Sequence, residues 1–206
     1  MIHNRLNNMK KTDNILAAID ENDIDYLSNV EFDVDCRIAE SDNDTFFLYA
    51  ISIPNFMYLD FFLEKNPDLN AVNDFGENIL HCAVYSGSME RLKEMFCKLP
   101  ISETLINSQS KDGSTPLLLA ILLGHHDLAG YLIDRGVDVC LPDYELNTPL
   151  HIACYNGCLS LVKKLIEHQA NPFIKTKKGN YPLACAVNED KEDPMERLFY
   201  KSLRQL

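Results

Sequence analysis

The phrase Thr148-Pro149-Leu150-His151-Ile152-Ala153 returns along this chain at a nearly fixed interval. Its variants read Thr115-Pro116-Leu117-Leu118-Leu119-Ala120, Asn78-Ile79-Leu80-His81-Cys82-Ala83, Thr45-Phe46-Phe47-Leu48-Tyr49-Ala50 and Tyr181-Pro182-Leu183-Ala184-Cys185-Ala186. A faint copy, Thr12-Asp13-Asn14-Ile15-Leu16-Ala17, opens the series. The copies start at positions 12, 45, 78, 115, 148 and 181, so the steps are 33, 33, 37, 33 and 33 residues. A chain with this period consists of small units that cannot bury an apolar face alone and must stack to do so.

Each copy reads as a helix start. Thr115 and Thr148 stand where a hydroxyl can accept a bond from a free N–H of the first turn. Proline follows at Pro116, Pro149 and Pro182, the first helical position, where a missing N–H costs nothing. Leu150, Ala153 and Cys154 then form one apolar stripe. The small residues Ala83, Ala120 and Ala153 allow helices to approach closely. Gly87, Gly124 and Gly157 stop the helix in a left-handed turn. A second helix follows, over Leu128–Ile133 in one unit and Leu159–Ile166 in the next. In the latter Leu161, Val162, Leu165 and Ile166 face inward, with Lys163, Lys164 and Glu167 outward. Gly136 ends one such helix and Gln169 stands in its place in the next, so that corner is expected to be slightly strained. Gly-containing polar stretches such as Asn73-Asp74-Phe75-Gly76-Glu77 and Lys111-Asp112-Gly113-Ser114 read as tight turns at hairpin tips.

The period and the T-P-L-H-x-A phrase resemble the ankyrin repeat family, from about Thr12 to the C-terminus. The resemblance implies an all-α fold: a small, curved α-solenoid of stacked helix pairs with short β-hairpin tips. The expected divisions are an N-terminal arm and capping repeat over 1–40, a degenerate repeat over 41–73, central repeats over 74–176, and a C-terminal capping repeat over 177–206. The degenerate repeat has Phe46 in place of proline, Pro54 in place of glycine, and a heavy aromatic load (Phe46, Phe47, Tyr49, Phe56, Tyr58, Phe61, Phe62). Four extra residues fall near Pro100-Ile101-Ser102-Glu103, on the back of an outer helix or in the loop after it. Thr12–Asn29 reads as the N-terminal cap. At the other end Met195, Leu198, Phe199 and Leu203 are expected to pack inward, with Glu196, Arg197, Lys201 and Arg204 solvated.

Composition narrows the function. No apolar run approaches the ~20 residues of a transmembrane helix, and Met1-Ile2-His3-Asn4-Arg5 lacks the apolar stretch of a secretory signal. The seven cysteines are odd in number and irregularly placed, a pattern that belongs to a reducing, cytoplasmic compartment. A net charge of −12 disfavours phosphate-mediated nucleic-acid binding. Acids dominate from Asp13 to Asp68, whereas Lys175, Lys177 and Lys178 crowd one hairpin tip; the two ends could meet oppositely charged parts of one partner, or form an ordinary solvated surface.

Candidate chemistry is sparse. His151, Cys154 and Cys158 have partial zinc-ligand spacing, but Gly157 breaks the helix before Cys158 and no fourth ligand follows. Glu40-Ser41-Asp42-Asn43-Asp44 alternates carboxylates without the glycine and terminal glutamate of a calcium loop. No phosphate-cradling glycine-rich loop occurs. His81 and His151 match the histidine that the family uses to bond neighbouring backbone. The expectation is therefore a non-enzymatic protein-interaction module, an adaptor or inhibitor, monomeric alone, with no cofactor, metal, nucleic acid or membrane.

The resemblance implies that the partner lies on the concave face, against hairpin tips and inner helices. Carried onto this chain, the candidates are Phe75, Glu77, Tyr85, Ser86, Asp112, Leu122, Leu123, Tyr144, Leu146, Tyr155, Asn156, Lys177 and Lys178. Leu146 replaces the tip glycine found at Gly76, Gly113 and Gly179, giving up easy turn geometry for an apolar group beside Tyr144. Tyr85, Leu122, Leu123, Tyr144, Leu146 and Tyr155 would then be anchors across three consecutive repeats, or would cover the seams between repeats. Two alternatives stand beside this reading. Glu189-Asp190-Lys191-Glu192-Asp193, with Glu196, resembles the acidic C-terminal signal of type IV secreted effectors of intracellular bacteria, which act on host proteins. An enzyme would need a site hidden in the divergent segment through Asp44.

Overall fold

The computed structural model describes residues 2–39, 41–54 and 57–185, with side chains from Lys10 onward. The proposed C-terminal packing residues, the acidic stretch from Glu189 to Glu196, Glu40 and Phe56 lie outside the described residues. The chain forms two compact units, Met1–Arg91 and Leu92–Leu206.

The first unit opens with a helix pair, α1 (Ile2–Asp20) and α2 (Ile24–Asn29). Ile15, Ala18 and Ile19 are buried at helical spacing on α1. Thr12 lies inside this helix rather than at its start, so the faint sixth copy of the phrase does not begin a helix as its counterparts do. A short antiparallel ladder follows, β1 (Arg37–Ile38) with β2 (Asp44–Thr45), pairing Arg37 with Thr45 and Ile38 with Asp44. Then come α3 (Phe46–Ser52), α4 (Leu59–Leu63), α5 (Ile79–Tyr85) and the start of α6 (Met89–Lys98). α3 packs on α1 and on α5.

The degenerate repeat keeps the helix start and changes the stop. Thr45 Oγ1 accepts the Leu48 N–H at 3.1 Å, the capping bond that its place in the phrase predicts. With no glycine to reverse the chain, Ile53 leaves α3 in extended geometry. The Arg91 guanidinium supplies the missing donors, giving hydrogen bonds to the carbonyls of Ala50 and Ile51 at 3.0 Å each. The aromatic load is core. Phe47 and Phe62 are wholly buried and stack at 6.1 Å, Phe32 meets Phe46 edge-on at 5.5 Å, and Lys65 lies 4.7 Å from the Phe61 ring centroid.

The second unit contains α7 (Glu103–Ile106), α8 (Pro116–Leu122), α9 (His126–Asp134), α10 (Pro149–Tyr155), α11 (Leu159–Glu167) and a closing 3-10 turn at Pro182–Cys185. α8 packs on α9 and α10, α9 on α11, and α10 on α11 and the 3-10 turn. These are the stacked helix pairs of a repeat solenoid. The insertion forms a helical turn of its own: Ser102 Oγ caps α7 by accepting the Leu105 N–H at 3.1 Å. Leu161, Val162, Leu165 and Ile166 are buried as their spacing requires. Gly87, Gly124 and Gly157 have φ of 65, 75 and 68°, and Gln169 takes φ 67°, a left-handed geometry that costs a residue with a Cβ about 1–2 kcal/mol.

The tips share one hydrogen-bond pattern rather than extended strands. Asn73, Ser110, Asp143 and Thr176 each donate their N–H to the carbonyl four residues on and accept, at their own carbonyl, the N–H three residues on. Side chains brace these turns, as when Asp143 Oδ1 accepts the N–H groups of Glu145 and Asn147 at 2.8 Å each. Tips also bond to the next tip: Asp74 N–H to Asp42 O in the first unit, and Tyr144 N–H to Asp112 O and Lys177 N–H to Glu145 O in the second. Among the described residues no helix is long and apolar enough to cross a membrane.

Candidate functional site

Two residues singled out from the sequence belong to the scaffold instead. Glu77 is only 9% exposed; its carboxylate accepts from Asn73 Nδ2 at 2.9 Å and from the Tyr85 hydroxyl at 2.7 Å. Ser86 is 6% exposed, and its hydroxyl donates to Ala83 O at 2.6 Å. Sequence position places both on the tip or inner helix, but their short polar side chains fold back to satisfy local groups. Phe75 and Tyr85 of the same unit do expose much of their rings. The Tyr85 hydroxyl is already committed to Glu77, which leaves its apolar ring for contact.

The second unit carries a richer surface. Leu122 ends α8 and Leu123 caps it; both are exposed, Leu122 by 52%. Tyr155 ends α10 and is 66% exposed. Tyr144 and Leu146 project from the tip between 143 and 147 and are also exposed. Leu146 holds φ 62°, so the replacement of the tip glycine keeps the turn and bears the left-handed cost. Asn156 is exposed, yet its Nδ2 donates to Ile121 O at 2.8 Å, tying the end of α10 to α8. Asp112 turns inward on its own tip: its carboxylate accepts from the Ser114 N–H at 3.0 Å and the Ser114 hydroxyl at 3.1 Å. Burial pushes the Asp112 carboxyl up, but the bonds from Ser110 and Ser114 outweigh it and hold it below the usual range. Lys177 lies 3.3 Å from Glu145, both largely exposed. Such a surface pair is worth only about 0–1 kcal/mol.

Several of these residues meet in a groove of about 490 Å³. Leu122, Ile152 and Tyr155 supply apolar wall; Glu145, Asn147, Thr176, Lys178 and Asn180 supply polar edge; His151, Ala184 and Cys185 complete it. Leu123, Tyr144, Leu146, Asn156 and Lys177 do not line it. Ile152, Thr176, Ala184 and Cys185 are additions that sequence reasoning missed. Cys185 lies half-buried in the turn Pro182–Cys185.

His151 holds the groove wall in place. Its Nδ1 accepts the Thr148 N–H at 3.1 Å and lies 2.8 Å from the Thr148 hydroxyl. Its Nε2 lies 3.1 Å from Asn180 O. A carbonyl can only accept, so the proton sits on Nε2 and the ring is the neutral tautomer. Burial depresses its pKa; the backbone contacts at Asn180 and Ile174 and the charge of Asp143 offset part of that. His81 likewise closes a capping box with Asn78 at the start of α5. Both histidines are structural joints. Among the described residues no three His, Cys, Asp or Glu side chains are grouped to hold a metal ion, and none of the seven cysteines forms a disulfide.

Comparison with known proteins agrees with this architecture. A family model described as ankyrin repeats matches in three copies, over residues 47–143, 92–176 and 142–203. NF-kappa-B inhibitor alpha of Homo sapiens is 32% identical over 119 residues, covering 57% of this chain and 38% of that protein. Alpha-latrotoxin-Lt1a of Latrodectus tredecimguttatus is 31% identical over 166 residues, 79% of this chain and 11% of the toxin. Ankyrin repeat protein nuc-2 of Neurospora crassa is 27% identical over 175 residues, 83% of this chain and 16% of that protein. The chain thus spans well under half the length of each of these relatives. With the family model covering most of its length and the helix pairs in place, the chain belongs to the ankyrin repeat family.

Proposed function

We propose that this chain is a non-enzymatic interaction module that holds a partner protein against the exposed face of its second unit, acting as an adaptor or inhibitor. The observation that carries the reading is the set of exposed apolar side chains on that unit: Leu122, Leu123, Tyr144, Leu146 and Tyr155. Interface energy concentrates in such anchors, tyrosine above all. Leu146 strengthens the case, because an exposed leucine at positive φ costs folding energy that a glycine would not. A relative named as an inhibitor of NF-kappa-B supports the blocking form of the activity. The module acts as a monomer, in a reducing cytoplasm, without nucleic acid or membrane. The commitment of His81 and His151 to helix caps argues against a catalytic role for either.

The test is affinity capture from lysates, read by mass spectrometry, with wild type and the Tyr144→Ala/Tyr155→Ala double variant. The expected result is a partner lost with the variant while the urea midpoint moves by no more than about 0.5 kcal/mol equivalent, as for surface changes generally. A folded double variant that retains every partner would overturn the reading. The acidic stretch Glu189-Asp190-Lys191-Glu192-Asp193 favours a second form, in which the module is a secreted effector acting on a host protein. Residues 186–206 fused to a translocation reporter test it, and absence of transport counts against it.

A further inference from the structure

We infer that the groove of the second unit takes an extended acidic segment of the partner protein, with one apolar side chain seated against Leu122, Ile152 and Tyr155. This rests on the interaction-module reading and adds the chemistry of what is bound. The groove, at about 490 Å³, is within the size range of sites that engulf a ligand, and its apolar wall comes from the ends of two adjacent inner helices. Its lining holds one acid and one lysine, and the residues beside it add further lysines. Glu145 is the single acid lining it, and Lys177 pairs with that carboxylate at 3.3 Å. Lys178 lines the groove and makes no ion pair among the described residues. Lys175 stands nearby, its ammonium 4.8 Å from the centroid of the Tyr181 ring. Residues 171–181 hold three lysines and no acid, in a chain whose net charge is −12.

The remaining groups suit a peptide backbone. The Asn180 main chain is occupied, its carbonyl by His151 Nε2 and its N–H by Thr176 Oγ1. Asn180 lines the groove and its side-chain amide has no hydrogen bond among the described residues, so its N–H donors and carbonyl acceptor are open to a ligand. An apolar contact, with an amide and an ammonium that have no partner among the described residues, matches an extended strand with a carboxylate beside its anchor. The local basic edge on an acidic protein would steer such a segment to this end and would be weakened by salt.

The experiment selects peptides from a random display library against the whole protein and measures the synthetic binders by fluorescence anisotropy. The expected consensus pairs aspartate or glutamate with a leucine-, isoleucine- or phenylalanine-type residue. Lys178→Glu should weaken the binders by about tenfold at low salt and much less at 0.5 M salt, where the Debye length has shrunk to roughly 4 Å and an exposed charge pair is largely screened. Tyr155→Ala should weaken them at both salt levels. Binders that ignore Lys178→Glu but lose affinity with Tyr155→Ala would overturn the acidic assignment and leave the interaction face standing. Binders indifferent to both, or no enriched binder, would overturn this inference, and indifference to both would remove the face as well. Displacement of the binders by a synthetic peptide of residues 186–199 would overturn the partner assignment in favour of the chain's own acidic segment, supplied by the same or a second copy.

Discussion

Gly113→Ala should be far more damaging than the same change at Gly179, although both are tip glycines at nearly equal φ, 87 and 83°. The left-handed backbone alone costs alanine about 1–2 kcal/mol at either site. At Gly179 a Cβ would meet nothing within 4 Å. At Gly113 it would stand 2.5 Å from the Tyr144 backbone nitrogen, 2.8 Å from the Tyr144 ring and 3.0 Å from the Asp143 carbonyl carbon. The ring can rotate away, but the backbone is held by the 3.0 Å bond from Tyr144 N–H to Asp112 O. Making room therefore breaks that bond, at about 0.5–1.5 kcal/mol, and moves the next tip, at about 1–3 kcal/mol for overpacking. The expected total is about 2.5–6.5 kcal/mol, against about 1–2 kcal/mol for Gly179→Ala. Urea unfolding followed by circular dichroism, with both variants beside wild type and their m-values compared, gives the difference. Equal losses at the two glycines would refute the claim that neighbouring tips lean on each other through Gly113.

Three other outcomes follow from the buried polar groups. Asp44 is 9% exposed and its Oδ1 has no hydrogen-bond partner among the described residues; burial raises its pKa, the Asn73 and Ser41 side chains offset part of this, and Glu77 and Asp42 add repulsion. The fold thus prefers the protonated acid, so its contribution is present below the ordinary value of 3.8 and is lost as pH rises through the raised one. Asp44→Asn should stabilise the protein at pH 7 by about 1 kcal/mol and by less near pH 4, and a loss at pH 7 in urea titrations would contradict this. His151 has the opposite sign: its depressed pKa means stability is complete above the ordinary 6.5 and declines as pH falls through it. That component should be absent from the pH-stability profile of His151→Gln, and an unchanged profile would show that the ring is not held neutral. Arg91→Met should cost about 3 kcal/mol by stripping the Ala50 and Ile51 carbonyls of charged donors; a thermal midpoint unchanged from wild type would show that α3 needs no such cap.

The repeat was legible because its chemistry is local. Thr45, Asn78 and Thr115 each cap the helix that follows through one side-chain oxygen, and the stop glycines at 87, 124 and 157 have the left-handed φ their position requires. These choices depend on residues within a turn of one another, so a phrase of six residues carries them. Thr12 shows the limit: the same short pattern without proline or a following stop lies in the middle of α1. Of the candidate side chains, Leu122, Tyr144 and Tyr155 are exposed. Glu77 and Ser86 are buried: Ser86 bonds within its own turn, whereas Glu77 also accepts the Tyr85 hydroxyl from the far end of α5.

The sequence by itself determined the period, the helix starts and stops, and the inward stripe of each helix, because each follows from bonds and contacts within one repeat. Only the tertiary structure decided that Arg91 completes α3, that Gly113 must be bare to admit the next tip, and that Leu122, Tyr155 and Lys178 share a groove. Those relations join residues about one repeat or more apart in the chain, across contacts that stacking creates and no local pattern encodes.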